Sequence, residues 1–368
     1  MPERKIRLQR PSYIPCLDGI RACAFLIVCV AHAGYEHLFP GGLGVTIFFF
    51  LSGYLITSLL RIEFEETGNI SLKQFYIRRV YRILPPLYIT LAIAGLVHFV
   101  GVNAGHGNTL GWIATFAYLF NYAELLSHGK AALPSGMGLV WSLMIEEHFY
   151  LLFPILYKTS VMRRWQKSRQ VWILVVACVA VLLWRCVLVF YFKIPVEAKL
   201  RWTYSATDAR FDAIALGCAL AIAHNPWCND AAGWLGRHAK LLAGLGCLLL
   251  LLTLAIREPH FRETLRYSLQ IVALYPIFYF CVATPASGWV KWLSWQPLRW
   301  LGWISYSLYL CHEAIQAALR HVLPPGRLLL LALSFVLSLL YAWGMRRAVE
   351  LPLRKLRSRA HDRKAVAV

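Results

Sequence analysis

Charge is scarce in this chain, and acid is scarcer still. Only 15% of the 368 residues are charged, with 38 Lys and Arg against 18 Asp and Glu. Soluble domains carry roughly 25% charged residues, so an ordinary soluble globule is excluded. Strand-period alternation is missing, which excludes an outer-membrane barrel. The ten cysteines form no CxxC pair and no Cys/His cluster at zinc spacing, so no metal site is expected. Most of them, including Cys23, Cys29, Cys178 and Cys218, sit inside apolar runs, where a small packing residue is the expected role. No internal repeat is visible, which counts against a transporter built from inverted repeats. No stretch reads as an appended soluble domain. No cleavable leader is visible either: MPERKIRLQRPSYIP is basic and polar, and the apolar run after it is long enough to span.

What the chain does have is hydrophobic length. It is 59% hydrophobic with a mean hydropathy of +0.54, and long apolar runs recur from Cys16 to Ala348. An all-α, polytopic transmembrane bundle is the expected fold. The formal charge of +20 could suggest nucleic acid, but Lys and Arg collect in the cytoplasmic loops of membrane proteins, so no nucleic-acid partner is expected. Many of the fourteen Trp lie near segment ends, as interfacial anchors do.

Eleven apolar stretches can be marked, and the weakest, 109–126, carries Asn121 and Glu124 in its second half. If it does not cross and the N-terminus is cytoplasmic, 26 Lys and Arg lie inside and 9 outside; if it crosses, the split becomes 18 and 17. The positive-inside rule selects the first arrangement. About ten spans with both termini cytoplasmic are therefore expected. The organisation is a cytoplasmic segment (1–16), one transmembrane domain (17–348) and a basic cytoplasmic tail (349–368) suited to anionic lipid.

Ionisable groups inside such spans are functional candidates by default. Arg21 and His32 lie eleven residues apart in one run, about three turns and about 16 Å on a helix. Both face one side at different depths. In WSLMIEEHFYLLFP, Glu146 and Glu147 reach the expected depth of His32, and Glu146 is the choice to orient its ring as part of a general base. The alternative for a lone His in an apolar helix is a hydrogen-bonded structural residue. In TDARFDAIALG, Arg210 and Asp212 could form an acceptor-binding rim, against the plain reading of a helix N-terminus that favours acids. In YIRRVYRILPP, Arg79 and Arg82 are one turn apart and could clamp a phosphate-bearing ligand together with Arg21, against ordinary positive-inside flanking. His312 and Glu313 are a second, weaker intramembrane pair, and Arg185 reads equally well as structural.

These segments, together with GLGVTIFFFLSGYLIT and ISYSLYLCHEAI, resemble the acyltransferase-3 family of polytopic membrane O-acyltransferases, in the family's order from residue 17 to about 315. The resemblance implies acyl transfer, with acetyl the default group, from cytoplasmic acyl-CoA to a hydroxyl of a glycan at the far membrane face. It also implies about ten spans and a bacterial cytoplasmic membrane, with lipopolysaccharide, exopolysaccharide or peptidoglycan among the acceptors. By position, His32 matches the family's catalytic His. Arg21 belongs to the same Arg–x10–His element, and Arg79 and Arg82 match the element implicated with the CoA donor. Ser52 and Tyr54 match the FLSGY segment and are carried over as candidate substrate-binding residues, Glu146 matches the acidic residue of WSL-x-x-E, and Arg210 and Asp212 match the R-x-D segment. Thr46, His148 and the HEA at 312–314 depart from residues common in the family. No tightly bound cofactor is implied, acyl-CoA being a co-substrate. Without an esterase-like domain, transfer is expected from the bundle alone or with a separate partner. Nothing in the sequence sets an oligomeric state. A secondary transporter or exporter using the same charges as a substrate path, and a non-catalytic scaffold, are the rival readings.

Overall fold

The computed structural model describes residues 13–102, 107–194, 202–230, 233–322 and 326–355. Most of the expected N-terminal segment and residues 356–368 of the basic tail lie outside them. The helices are α1 (Pro15–Val30), α2 (Gly41–Thr67), α3 (Leu72–Phe99), α4 (Thr109–Phe116), α5 (Phe120–Leu126), α6 (Val140–Met162), α7 (Lys167–Cys186), α8 (Trp202–Ser205), α9 (Asp212–Ala223), α10 (Gly233–Arg237), α11 (Ala239–Ala255), α12 (Pro259–Glu263), α13 (Leu265–Ala283), α14 (Gly288–Leu293), α15 (Gln296–Trp303), α16 (Ser305–Val322) and α17 (Arg327–Met345). There is no strand among the described residues, so the fold is all-α as expected. Six helical segments, Pro15–Tyr35, Gly41–Thr67, Leu72–Phe99, Lys167–Tyr191, Leu265–Ala283 and Arg327–Lys355, are long and apolar enough to cross a membrane.

The region 109–126 forms two short helices broken at Tyr118, whose φ is 59°. At eight and seven residues, each reaches only about 12 Å or less, far short of a bilayer. Asn108 caps the first by accepting from Gly111 N at 2.8 Å.

Helices α1, α2 and α9 form the packed centre, while α3, α7, α11 and α17 turn apolar side chains outward. Trp172 is 66% exposed, Leu251 65% and Leu340 62%. Such a belt is unstable in water and suits lipid. Small residues set the central spacing. A Cβ on Gly53 would stand 2.0 Å from the Ile214 carbonyl, and one on Gly217 would stand 2.1 Å from that of Phe50. Only hydrogen fits at either place, so α2 and α9 pack backbone to backbone, the usual solution where no hydrophobic drive separates helices from lipid.

At the end of the bundle holding the α2–α3 and α6–α7 turns, Arg61 donates to both Asp230 oxygens at 2.6 Å and to the Ala221 and Ile222 carbonyls at 3.1 and 3.3 Å. Lys167 joins Asp230 at 2.9 Å. Three helices are thereby tied at their ends. Burial pushes the Asp230 carboxyl up, but hydrogen bonds from Arg61, the Asn225 backbone and Lys167 overcome it and hold the group at about 2.

Candidate active site

Two cavities enter the bundle from opposite ends. The first, about 800 Å³ of empty space, is walled by α1, α2, α3, α6 and α16. Arg21, Arg79 and Arg82 line it, with Glu146, Glu147 and Tyr150 facing them. Ser71 caps α3 by accepting from Gln74 N at 3.4 Å, about two turns before Arg79. Arg78 then reaches back to Glu63 at 3.3 Å, while Arg79 lies over the Tyr150 ring at 4.7 Å. Arg21 is held by Asp18 at 3.0 Å, and Asp18 is itself buried and bonded by Trp303 Nε1 at 2.9 Å. Glu146 accepts from Ser52 Oγ at 3.0 Å and from Tyr150 Oη at 3.1 Å. One carboxylate oxygen of Glu147 is buried with no hydrogen-bond partner.

The second cavity, about 1730 Å³, lies at the other end and is lined by His32, Glu36, Tyr204, Arg257, Arg262 and Arg266 among others. His32 stands in a widened helical turn, Ala31–Tyr35, that ends α1 where Gly34 takes φ 99°. Its Nδ1 lies 3.0 Å from His312 Nε2 and 3.7 Å from a Glu313 oxygen. Its backbone carbonyl accepts from Arg320 at 3.1 Å. His312 is fully buried, and its Nδ1 donates to the Tyr309 carbonyl at 2.8 Å.

The cavities approach each other closely. Val45 lines the first and Gly42 the second, three residues apart on α2, about 4.5 Å along the axis. Phe49 of the first cavity packs edge-on against Trp141 at 6.4 Å, and Trp141 packs on Tyr204 of the second at 4.7 Å. Beside them, Tyr309 of the first cavity shares a 2.8 Å hydroxyl contact with Ser142 and packs 5.6 Å from the His312 ring. A thin aromatic wall therefore separates the arginine-lined space from His32.

Against the sequence expectations, Arg21, Arg79, Arg82, Ser52 and Glu146 come together, and His32 lies in a different cavity. Four expectations need correction, those for Glu146, Tyr54, Asp212 and Arg210. Glu146 does not orient His32: it sits on the far side of the wall with Ser52 and Tyr150, and the neighbours of His32 come from α16. The two are not level: His32 lies in the turn that ends the α1 segment, whereas Glu146 lies six residues, about 9 Å, inside α6. Tyr54 is no acceptor contact, being fully buried with its hydroxyl on Asn225 at 2.6 Å; the close α2–α9 packing encloses it. Asp212 is no rim residue either. It pairs with Arg185 at 2.9 Å, both side chains being at most 1% exposed.

Arg210 lines neither cavity. It is buried, donates to Thr46 Oγ1 at 2.9 Å and lies 3.9 Å over the Tyr267 ring. His148 holds Thr207 and the Tyr118 carbonyl at 2.8 and 2.7 Å, which fixes the broken stretch to the turn before α9. Sequence reasoning missed Tyr150, Tyr306 and Tyr309 on the first cavity and Arg257, Arg262 and Arg266 on the second. The three-residue spacing of Tyr309 and His312 on one helix face was the available signal.

The fold defines a membrane-embedded helical bundle with two cavities on either side of a thin partition. The chain belongs to the acyltransferase family whose model, described as an acyltransferase domain, matches residues 14–347. It is similar to the peptidoglycan O-acetyltransferase OatA of Listeria monocytogenes, with 31% identity over 325 residues, 85% of this chain and 51% of that one. It is also similar to the O-acetyltransferase OatA of Staphylococcus aureus, with 28% identity over 362 residues, 96% of this chain and 59% of that one. The chain thus spans little more than half the length of these relatives. No solved structure matches.

Proposed function

We propose that the protein is a membrane O-acyltransferase that takes an acyl group, acetyl by default, from cytoplasmic acyl-CoA and places it on a hydroxyl of an exported or cell-wall glycan. The observation that carries the reading is the pairing of an arginine-lined cavity with a His-bearing one, back to back across one aromatic layer. The reading uses about ten spans with both termini cytoplasmic, which puts the first cavity at the cytoplasmic face.

Arg79, Arg82 and Arg21 suit the phosphates of CoA, for which planar guanidinium forks are well shaped. The pantetheine arm carries amide N–H groups, and the unpartnered Glu147 oxygen is an acceptor for one of them. The arm points toward Ser142 and Tyr309, so the thioester meets the wall and crosses where Phe49, Trp141 and Tyr309 give way. The larger cavity holds the acceptor. There the His32 imidazole takes the hydroxyl proton as the oxygen attacks the thioester carbonyl. The tetrahedral intermediate collapses with cleavage of the C–S bond, and the departing thiolate takes the proton from the imidazolium. The products are an O-acyl glycan and CoA thiol. Glu313, 3.7 Å from the ring, stabilises the transient imidazolium. In the variant route the imidazole is first acylated by the thioester and then passes the group to the hydroxyl.

The test compares wall and surface glycans of cells carrying wild-type protein, His32→Ala or no protein, by mass spectrometry. An acyl increment present in the first and missing from the other two supports the reading and identifies both group and acceptor. Wild-type acylation by a well-expressed His32→Ala protein would end it.

A further inference from the structure

His312 enters no step of the reaction as described, yet it is the nearest polar neighbour of His32. It is fully buried, and both ring nitrogens are engaged. Its Nδ1 lies 2.8 Å from the Tyr309 carbonyl oxygen, which can only accept. The proton of a neutral His312 is therefore on Nδ1, and Nε2 carries the lone pair. That lone pair faces His32 Nδ1 at 3.0 Å, with the two ring planes within 1° of parallel. One acceptor fixes the next: His32 must supply the hydrogen from Nδ1. A neutral imidazole has a single N–H, so the nitrogen left bare is Nε2.

We propose that His312 is a positioning residue that, through the Tyr309 carbonyl, locks His32 in the Nδ1–H tautomer and thereby makes His32 Nε2 the atom that takes the acceptor's proton. In the variant route the same Nε2 is the atom acylated. This rests on the reading of His32 as base or relay. The arrangement performs by a second imidazole what a carboxylate performs in a Ser-His-Asp triad, and it avoids a buried negative charge. A Glu313 oxygen lies 3.7 Å from the same Nδ1, farther than His312 Nε2 at 3.0 Å, close enough to favour the imidazolium once formed. Tyr309 also lines the first cavity, so its backbone helps set the protonation of the base while its ring forms part of the wall.

The experiment uses the full-length protein in detergent, labelled with ¹⁵N-histidine. His32 is assigned by its loss in His32→Ala, and its tautomer is read from ¹⁵N shifts and two-bond couplings. The wild-type His32 is expected as the Nδ1–H form. His312→Leu removes the acceptor, so a mixture of tautomers is expected, with kcat for acyl transfer down roughly 10- to 100-fold and KM for both substrates within about threefold, the scale of a misdirected general base. His312→Gln can hold the Tyr309 carbonyl with its N–H and present its oxygen to His32, so it is expected to recover the Nδ1–H form and most of kcat. A wild-type His32 in the Nε2–H form would overturn the proposal even if His32→Ala is inactive. A leucine variant with an unchanged tautomer would overturn it as well. Full activity of His32→Ala would instead defeat the catalytic reading while leaving the tautomer assignment to stand or fall by the spectrum.

Discussion

The two cavities face the same wall and are built differently. The one bearing Arg21, Arg79 and Arg82 is tight and braced, with Asp18, Tyr150 and Ser52 holding its charged groups in place. The one bearing His32 is about twice the size and adds imidazole and amide groups to its arginines and glutamates. The contrast fits the proposed division of labour. In that proposal a donor that always carries the same phosphates is met by fixed charges, whereas a glycan acceptor needs room, and there the fixed element is reduced to one ring and its neighbours. Precision on the second side is spent on the orientation of a single imidazole.

The largest test of that division is His32→Ala, expected to cut acyl transfer by roughly 10²- to 10⁴-fold, the usual worth of a positioned base, while acyl-CoA binding measured by calorimetry is retained. Loss of binding would place His32 on the donor side and break the comparison. Next comes the assignment of Asp212 to the scaffold. Asp212→Asn leaves the Arg185 charge buried and unpaired, which costs about 3–5 kcal/mol. It is expected to appear as a lower midpoint in thermal unfolding, with unchanged KM in the surviving folded protein; a selective rise in acceptor KM would return it to a binding role. On the donor side, Arg79→Ala and Arg82→Ala are each expected to raise the KM for acyl-CoA about 10- to 100-fold, as for loss of a charge-assisted hydrogen bond worth about 1.5–3 kcal/mol. An increase in acceptor KM instead would reverse the two cavities.

A smaller effect concerns the tie at the bundle end. The Asp230 carboxyl is held at about 2 in the folded protein, below an unfolded value near 3.9. Its stabilisation is thus full above about pH 4 and lost as pH falls through the folded value, about 2 kcal/mol over that window. Unfolding curves of wild-type and Asp230→Asn protein are expected to converge toward pH 2 and to separate at neutral pH. A constant gap would mean that the contact with Arg61 contributes nothing. The smallest effect tests the partition. Trp141→Ala thins the wall and is expected to raise acceptor-independent hydrolysis of acyl-CoA by about threefold, because water then reaches the thioester.

Much of this was legible in the sequence, and the reasons differ by region. Helical class and the non-crossing nature of 109–126 follow from apolar run length and loop charge, which are local quantities. The convergence of Arg21, Arg79 and Arg82 was readable because each lies near the start of a long regular helix, where spacing translates directly into position. The partner of His32 was not. It depends on how α16 meets the widened turn after α1, and a π-type turn with Gly34 at positive φ leaves no periodic signature. The burial of Tyr54 and Asp212 was hidden for a related cause. The R-x-D and FLSGY segments meet at the α2–α9 contact, where absent side chains at Gly53 and Gly217 bring two backbones together and seal what the motifs alone suggested was open.

The thin aromatic layer between the cavities has an electrical consequence. If ions and water fill both vestibules, nearly all of the membrane potential drops across the layer of Phe49, Trp141 and Tyr309, and a unit charge forced through would feel about 2.3 kcal/mol per 100 mV. In the proposed reaction the group that crosses is a thioester, which carries no charge and would slip through that field without work, leaving the phosphates behind it at zero displacement. Turnover in reconstituted vesicles should then be indifferent to an imposed voltage, and the protein should conduct no measurable current while it works.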